Sequence, residues 1–324
     1  MQSDKPFQAT EPQVAVLIPC HNEELTVAAS VREFALELPA ARLYVYDNNS
    51  SDNTVAEARA AGAIVGYEAQ QGKGNVLRRM FREIDADIYV VIDGDATYPA
   101  QYAREMIALV QSGQADMVVG SRLGDHHQDA FRSLHKFGNR LISGVISNLF
   151  SCTLTDVLSG YRVFSRRFVD HVPLISQGFE IETEMTLNAL EANMVIREVP
   201  ISYRSRPEGS ESKLSTFKDG ALILITIVDI FRNYRPLPFF FGVALAIFLL
   251  GILVGMPVIY EYFTTGLVKK LPSAVLAASL EVLAFQLFSV GLVLDGIVYR
   301  RRQDKDLNLR VACKSTKAFR PGGG

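Results

Sequence analysis

A chain of 324 residues, 21% of them charged, has material for one large or two moderate domains with a full core. Its formal net charge of −2 excludes a protein that wraps nucleic acid, and no nucleic-acid partner is expected. The three cysteines, Cys20, Cys152 and Cys313, lie far apart, form no C-x-x-C and are odd in number. That pattern points to a reducing compartment without a disulfide framework.

Residues 1–12 read as a flexible N-terminus, and the opening MQSDKPFQATEPQ has no apolar h-region, so no signal peptide is expected. From residue 13 onward, short apolar runs alternate with helical patterns. Strands are predicted at Val14–Ile18, Leu43–Tyr46, Ile64–Tyr67, Ile88–Ile92 and Asp116–Val119. Helices are predicted at Glu24–Leu38, Val55–Ala61, Asn75–Ile84 and Pro99–Gln111, with NNSSDNT offering N-caps for the second. This alternation predicts an α/β domain over 13–213 with a mainly parallel sheet. In such sheets ligands bind at the carboxyl ends of strands. That rule brings Pro19–Glu23, Asp47, Asp93 and Asp95 to one crevice. No glycine-rich phosphate turn follows the first strand, which excludes a dehydrogenase and a P-loop ATPase.

The last third is far more apolar. Leu237–Phe263 and Ser273–Val298 each exceed the roughly 20 residues a helix needs to cross a bilayer. Only about ten residues separate them, so a transmembrane hairpin is predicted over 236–299, followed by a tail over 300–324. Arg232 and Arg235 precede it, and Arg300, Arg301, Arg302 and Lys305 follow it. That bias places both ends, and the α/β domain, on the cytosolic side of a bacterial-type inner membrane. Residues 214–235 fit an amphipathic helix on the membrane surface or one packed on the soluble domain. Glu281 and the small residues of the hairpin invite helix–helix or subunit contacts, hence a homo-oligomer.

VVIDGDATYP places Asp93 and Asp95 one residue apart at a strand end. Like charges that close need a solvent-facing turn or a positive partner. VLIPCHNEE, YDNNSSDNT, GKGNVLRRM, VVIDGDATYP, GSR, DVLSGYRVF and GFEIETEM follow in this order. The ordered set resembles family 2 of the inverting glycosyltransferases, with a GT-A fold, and within it the polyprenyl-phosphate glycosyltransferases. The resemblance covers about residues 13–235, and the two-helix tail matches the bacterial members.

The resemblance implies a UDP- or GDP-sugar donor, Mg²⁺ or Mn²⁺ as cofactor, and a membrane polyprenyl phosphate as acceptor. It implies metal ligation by Asp93 and Asp95, with Thr97 as a third candidate where relatives carry an amide. It also implies nucleotide contacts from Pro19, His21, Glu23, Asp47 and Lys73. A hard divalent cation with oxygen ligands suits a diphosphate leaving group. A lipid phosphate is already anionic and needs cations rather than a base. Arg122, Arg140, Arg162, Arg204 and Lys213 are the candidates, joined by Arg206 in the same stretch. Asp156 matches an acidic family position, as a catalytic base, an orienting group or a structural hydrogen-bond acceptor.

A processive polysaccharide synthase would carry a Q-x-x-R-W motif, and this chain has no tryptophan. A nucleotidyltransferase would need the missing glycine-rich loop. A glycosyltransferase acting on a lipid hydroxyl such as diacylglycerol would make Asp156 indispensable. A catalytically silent membrane scaffold would not need the clustered carboxylates.

Overall fold

The computed structural model describes residues 12–122, 133–150, 152–176, 180–206 and 227–318, with the side chains of 133–137, 302 and 305–318 outside the description. Two compact units emerge, Met1–Gly220 and Ala221–Gly324.

The first unit is built on seven strands: β1 (Val14–Cys20), β2 (Arg42–Asp47), β3 (Ile64–Tyr67), β4 (Ile88–Val91), β5 (Met117–Ser121), β6 (Arg162–Ser165) and β7 (Ile196–Pro200). Its helices are α1 (Val27–Glu37), α2 (Thr54–Ala60), α3 (Lys73–Glu83), α4 (Ala103–Gln111), α5 (Ser133–Phe150), α6 (Arg166–His171) and α7 (Ile181–Glu191). The sheet order is β3-β2-β1-β4-β6-β5-β7. All pairings are parallel except those of β6, which runs antiparallel between β4 and β5.

The predicted strands form with boundaries shifted by a few residues. β6 and β7 add to the five predicted, and β6 makes the sheet mixed. GYRVFS has too short an apolar run to announce a central strand, and its direction depends on partners distant in sequence. Pro99–Gln111 begins helical only at a 3-10 turn, Ala100–Tyr102, because Pro99 keeps an extended ψ of 135°.

Helices cover both faces. On one, Val27, Val31 and Phe34 of α1 and Met106, Ile107 and Val110 of α4 meet Val16, Ile18, Val90 and Val118. On the other, Phe81 of α3 packs edge-on against Tyr89 and Phe164, and Phe164 meets Phe168 of α6. Strands covered on both sides read as continuous apolar runs, as VAVLI in β1 does. Each fully buried Leu or Phe here contributes about 1.5–3 kcal/mol. The β1–β2 register pairs Cys20 with Asp47, and the β1–β4 register pairs Leu17 with Val91. β1 and β2 therefore end level, while β4 stops opposite Leu17, so the turn that follows it runs beside the last residues of β1, and the loops after the three parallel strands share one edge.

In the second unit, helices span Pro236–Thr265 and Leu271–Ala318. Their apolar stretches are 30 and 31 residues long, and an 18-residue segment of each has mean hydropathy 2.7 and 1.9, long and apolar enough to cross a bilayer. Only 11% of each such segment is buried, unlike a core helix of a soluble domain. The two pack antiparallel, since Gly291 lies against Phe240, Gly251 against Glu281 and Gly255 against Ala277. The small residues and Glu281 thus meet within the hairpin itself. The second helix continues through the predicted tail to Ala318, because 299–318 holds neither glycine nor proline. The surface-helix prediction falls largely outside the described residues, with 227–234 helical.

Candidate active site

Three loops at the carboxyl edge are stitched together by their own side chains. The loop after β1 donates Asn22 N–H to Ser50 Oγ (2.8 Å), Glu23 N–H to Thr54 Oγ1 (2.8 Å) and Glu24 N–H to Asp52 Oδ2 (3.1 Å). Asn48, just past β2, donates to the carbonyls of Glu68 and Gln70 and accepts from Gly72 N–H at 2.7 Å. Gly72 has φ +128°, open to glycine alone, and it starts α3 with Lys73 as first residue. Between these loops Asp47 is buried, and its Oδ1 has no hydrogen-bond partner among the described residues. An orphaned buried acceptor at a crevice floor suits a ligand N–H.

Asp93 and Asp95 sit in the turn after β4. Gly94 is required by close approach, since a Cβ there would lie 2.5 Å from Cys20 Sγ. The left-handed position in the turn belongs instead to Ala96, with φ +57°. A non-glycine residue in that region costs about 1–3 kcal/mol and persists where the surroundings hold it. Thr97 supplies part of that hold by donating Oγ1–H to Asp95 Oδ1 at 2.6 Å.

Each carboxylate meets a cation. Lys73 Nζ bonds Asp93 Oδ1 and also Glu182 Oε1 of α7, the latter at 2.6 Å. Burial opposes the ammonium charge, but Asp93 and Glu182 outweigh it and raise the lysine pKa. Asp95 Oδ2 lies 2.7 Å from Arg206 Nη2. Gly160 lies behind Asp93, and a Cβ there would collide with the carboxylate. Gly160 N–H donates to the buried Tyr98 hydroxyl at 2.9 Å.

A second charged group lies beyond β5. Asp156 is fully buried, and both its oxygens accept from Arg122 Nε and Nη2 at 2.8 Å. Arg122 N–H and Asn139 Nδ2 add bonds of 2.9 and 2.8 Å. Burial pushes the Asp156 carboxyl up, yet the Arg122 guanidinium and these bonds bring it below the usual carboxylate range. Glu198 of β7 braces the segment by accepting from the N–H groups of Thr155 and Asp156. The Arg122 guanidinium also lies over the Tyr203 ring, 5.6 Å from its centroid.

The sequence pattern of glycosyl transferase family 2 matches residues 15–172. A glycosyltransferase AglJ of Haloferax volcanii is 31% identical over 295 residues, spanning 91% of this chain and 96% of its own. The chain belongs to glycosyl transferase family 2. Another relative, a dolichyl-phosphate hexose transferase of the same organism, is 28% identical over 68% of this chain and 95% of its own. A dolichol-phosphate mannosyltransferase of Pyrococcus furiosus is 27% identical over 62% of this chain and 59% of its own. Among solved structures, glucosyl-3-phosphoglycerate synthase from Mycobacterium tuberculosis with Mn²⁺, uridine diphosphate and glucosyl-3-phosphoglycerate aligns with a TM-score of 0.57 at 19% identity. The alignment covers 68% of this chain and 79% of that one, and it shows the shared GT-A fold.

In this family 2 glycosyltransferase the crevice gathers most of the residues predicted for the donor. Pro19 near the end of β1 and His21 and Glu23 in the loop after it are half-buried, with Asp47, Lys73, Asp93 and Asp95 at the same edge. Four further candidates have other surroundings. Thr97 is fully buried and donates its hydroxyl to Asp95. Arg162 is fully buried and bonds the carbonyls of Ser159 and Val157 and the hydroxyl of Thr186, which leaves it no access to an acceptor. Burial pulls its pKa down to about 10. Arg204 is half exposed and paired with Glu33, at 2.8 Å. Asp156 has its oxygens filled by Arg122 and Asn139, an arrangement that matches the orienting and structural alternatives of the sequence reading.

Arg140 is exposed on α5. Lys213 and residues 123–132 lie outside the described residues. Residue-by-residue reading missed Glu182, although the GFEIETEM segment containing it stood out, and it left Arg206 as one cation among several.

The carboxylate pair also fits a divalent cation. Among the described residues no three His, Cys, Asp or Glu side chains converge into a closed cage. Two hard carboxylate oxygens with the remaining positions left open match what Mg²⁺ or Mn²⁺ takes beside phosphate oxygens.

Proposed function

We propose that this glycosyltransferase moves one sugar from a UDP- or GDP-sugar to a polyprenyl phosphate, such as undecaprenyl or dolichyl phosphate. The transfer takes place at the cytosolic face of a bacterial-type inner membrane, which the apolar hairpin spans. The observation that carries the acceptor class is the Arg122–Asp156 pair. A hydroxyl acceptor must lose a proton on attack and needs a base. Asp156 has its lone pairs committed, whereas Arg122 offers a fixed guanidinium of the kind that holds phosphate. Two named relatives, acting on dolichyl phosphate by their names, support the same class.

On the donor side, Asp47 Oδ1 is suited to an N–H of the base, and Asp93 and Asp95 to Mg²⁺ or Mn²⁺. When bound, the cation supplies Lewis-acid neutralisation of the departing diphosphate. Lys73 and Arg206 stand at the same carboxylates and add positive charge where the leaving group gathers negative charge. Arg122 aims the acceptor phosphate, which attacks directly. Direct attack inverts the anomeric centre, so an α-linked donor gives a β-linked polyprenyl-phosphate sugar.

The test is a screen of radiolabelled UDP- and GDP-sugars with detergent-solubilised full-length protein and Mn²⁺. Polyprenyl phosphate and diacylglycerol are offered in separate arms and scored by lipid extraction. Label in the polyprenyl-phosphate arm is expected; label only with diacylglycerol would overturn the acceptor class.

A further inference from the structure

Lys73 is shared between two carboxylates that differ in kind. Asp93 stands in the turn after β4 with its side chain 30% exposed. Glu182 is 5% exposed and belongs to α7, a helix pinned from several directions. Thr186 Oγ1 donates to the Glu182 carbonyl at 3.0 Å and accepts from the buried Arg162 at 2.9 Å. Glu184 accepts from the N–H groups of Ile175 and Ser176, and Asn188 donates to the Pro173 carbonyl. One partner of the ammonium is therefore placed to exchange, and the other is anchored.

Charge counting gives the pair a purpose. An ammonium as buried as Lys73 cannot lose its only counter-charge without a large desolvation penalty. With Asp93 alone as partner, any cation that drew Asp93 away would strand Lys73. With Glu182 present, Lys73 and Glu182 remain a neutral pair after Asp93 leaves.

We propose that Glu182 is a positioning residue that keeps Lys73 paired and in place while Asp93 changes partner, thereby freeing Asp93 to bind a divalent cation. This rests on the reading of Asp93 and Asp95 as cation ligands. Glu182 touches neither donor nor acceptor in this role; it acts through Lys73.

The test titrates full-length protein in detergent with Mn²⁺ alone and counts free Mn²⁺ by electron paramagnetic resonance. Neither nucleotide nor turnover enters the readout. Glu182→Gln is expected to weaken Asp93-dependent Mn²⁺ binding about tenfold, because Lys73 then clings to Asp93. Removing the competitor as well, in Lys73→Met/Glu182→Gln, is expected to restore binding to within about threefold of the unmodified protein. A merely structural role for Glu182 would not be rescued by deleting Lys73.

Unchanged binding in Glu182→Gln, or a double variant no better than the single, would overturn the proposal. If Glu182→Gln does not fold, the double variant, which carries neither charge, is compared with the unmodified protein directly. Binding within the threefold window then supports the proposal and loss of binding overturns it. Should the unmodified protein show no Mn²⁺ binding that Asp93→Asn removes, the cation reading itself falls and this proposal with it.

Discussion

Arg206 Nη2 lies 2.7 Å from Asp95 Oδ2, across 111 residues of chain. A guanidinium from the segment after β7 thus occupies a carboxylate of the strand-end turn. Burial disfavours the arginine charge, and Asp95 more than compensates, raising its pKa. A divalent cation at Asp95 competes with this contact. Arg206→Ala is therefore expected to tighten Mn²⁺ binding without nucleotide by about two- to fivefold, the modest size reflecting an arginine whose side chain is 31% exposed. Sugar transfer is expected to fall in the same variant. Parallel Mn²⁺ titration and transfer assays check both directions, and weaker metal binding would contradict the competition.

Asp156→Asn should act through Arg122. Removing one member of a buried, doubly bonded pair costs roughly 3–5 kcal/mol. Denaturant unfolding of the variant should show that loss, and the KM for the lipid acceptor should rise as it does in Arg122→Gln. If Asp156→Asn removed turnover while stability and acceptor KM stayed unchanged, Asp156 would be acting as a base after all.

The same carboxyl makes stability fall in acid. Its folded pKa is depressed below the unfolded value of about 3.9. Between the two values the unfolded chain takes up a proton that the folded chain refuses, so acid favours unfolding. The stabilisation is whole above about pH 4 and fades as pH drops through the folded pKa. Thermal melts from pH 7 downward should show a steeper decline below pH 4 in the unmodified protein than in Asp156→Asn. Parallel curves would remove Asp156 from the account.

Gly160→Ala should disable Asp93 from behind. The added Cβ overlaps the carboxylate, and Gly160 sits in a backbone held by Tyr98, so the aspartate must move. Overpacking of this kind costs about 1–3 kcal/mol. Divalent-dependent nucleotide binding by calorimetry should drop at least tenfold while the protein still unfolds cooperatively. Retained binding would show that Asp93 has room to turn aside.

Much of this arrangement was readable from residue order, for identifiable reasons. Short apolar parallel strands put Asp47, Asp93 and Asp95 at one edge, because strand–helix alternation leaves few topologies. What escaped depends on contacts that sequence spacing does not encode. Lys73 and Glu182 meet across 109 residues. Arg162 and Arg122 look alike in sequence, yet one is a fully buried residue of β6 and the other is held by a carboxylate. Thr97 resembles a ligand by position, but its hydroxyl turns back to its neighbour. Antiparallel β6 was invisible because four residues carry no signal of direction.

β6 has a consequence for how the enzyme can vary. It runs against β4 on one side and β5 on the other, with Arg162 opposite both Val91 and Val119. The donor-side turn and the Arg122 side are therefore riveted to one reversed ribbon rather than joined by a pliable linker. A change of substrate preference is expected to come from the loops on the rim, since the spacing between the two halves is set by a strand paired with both.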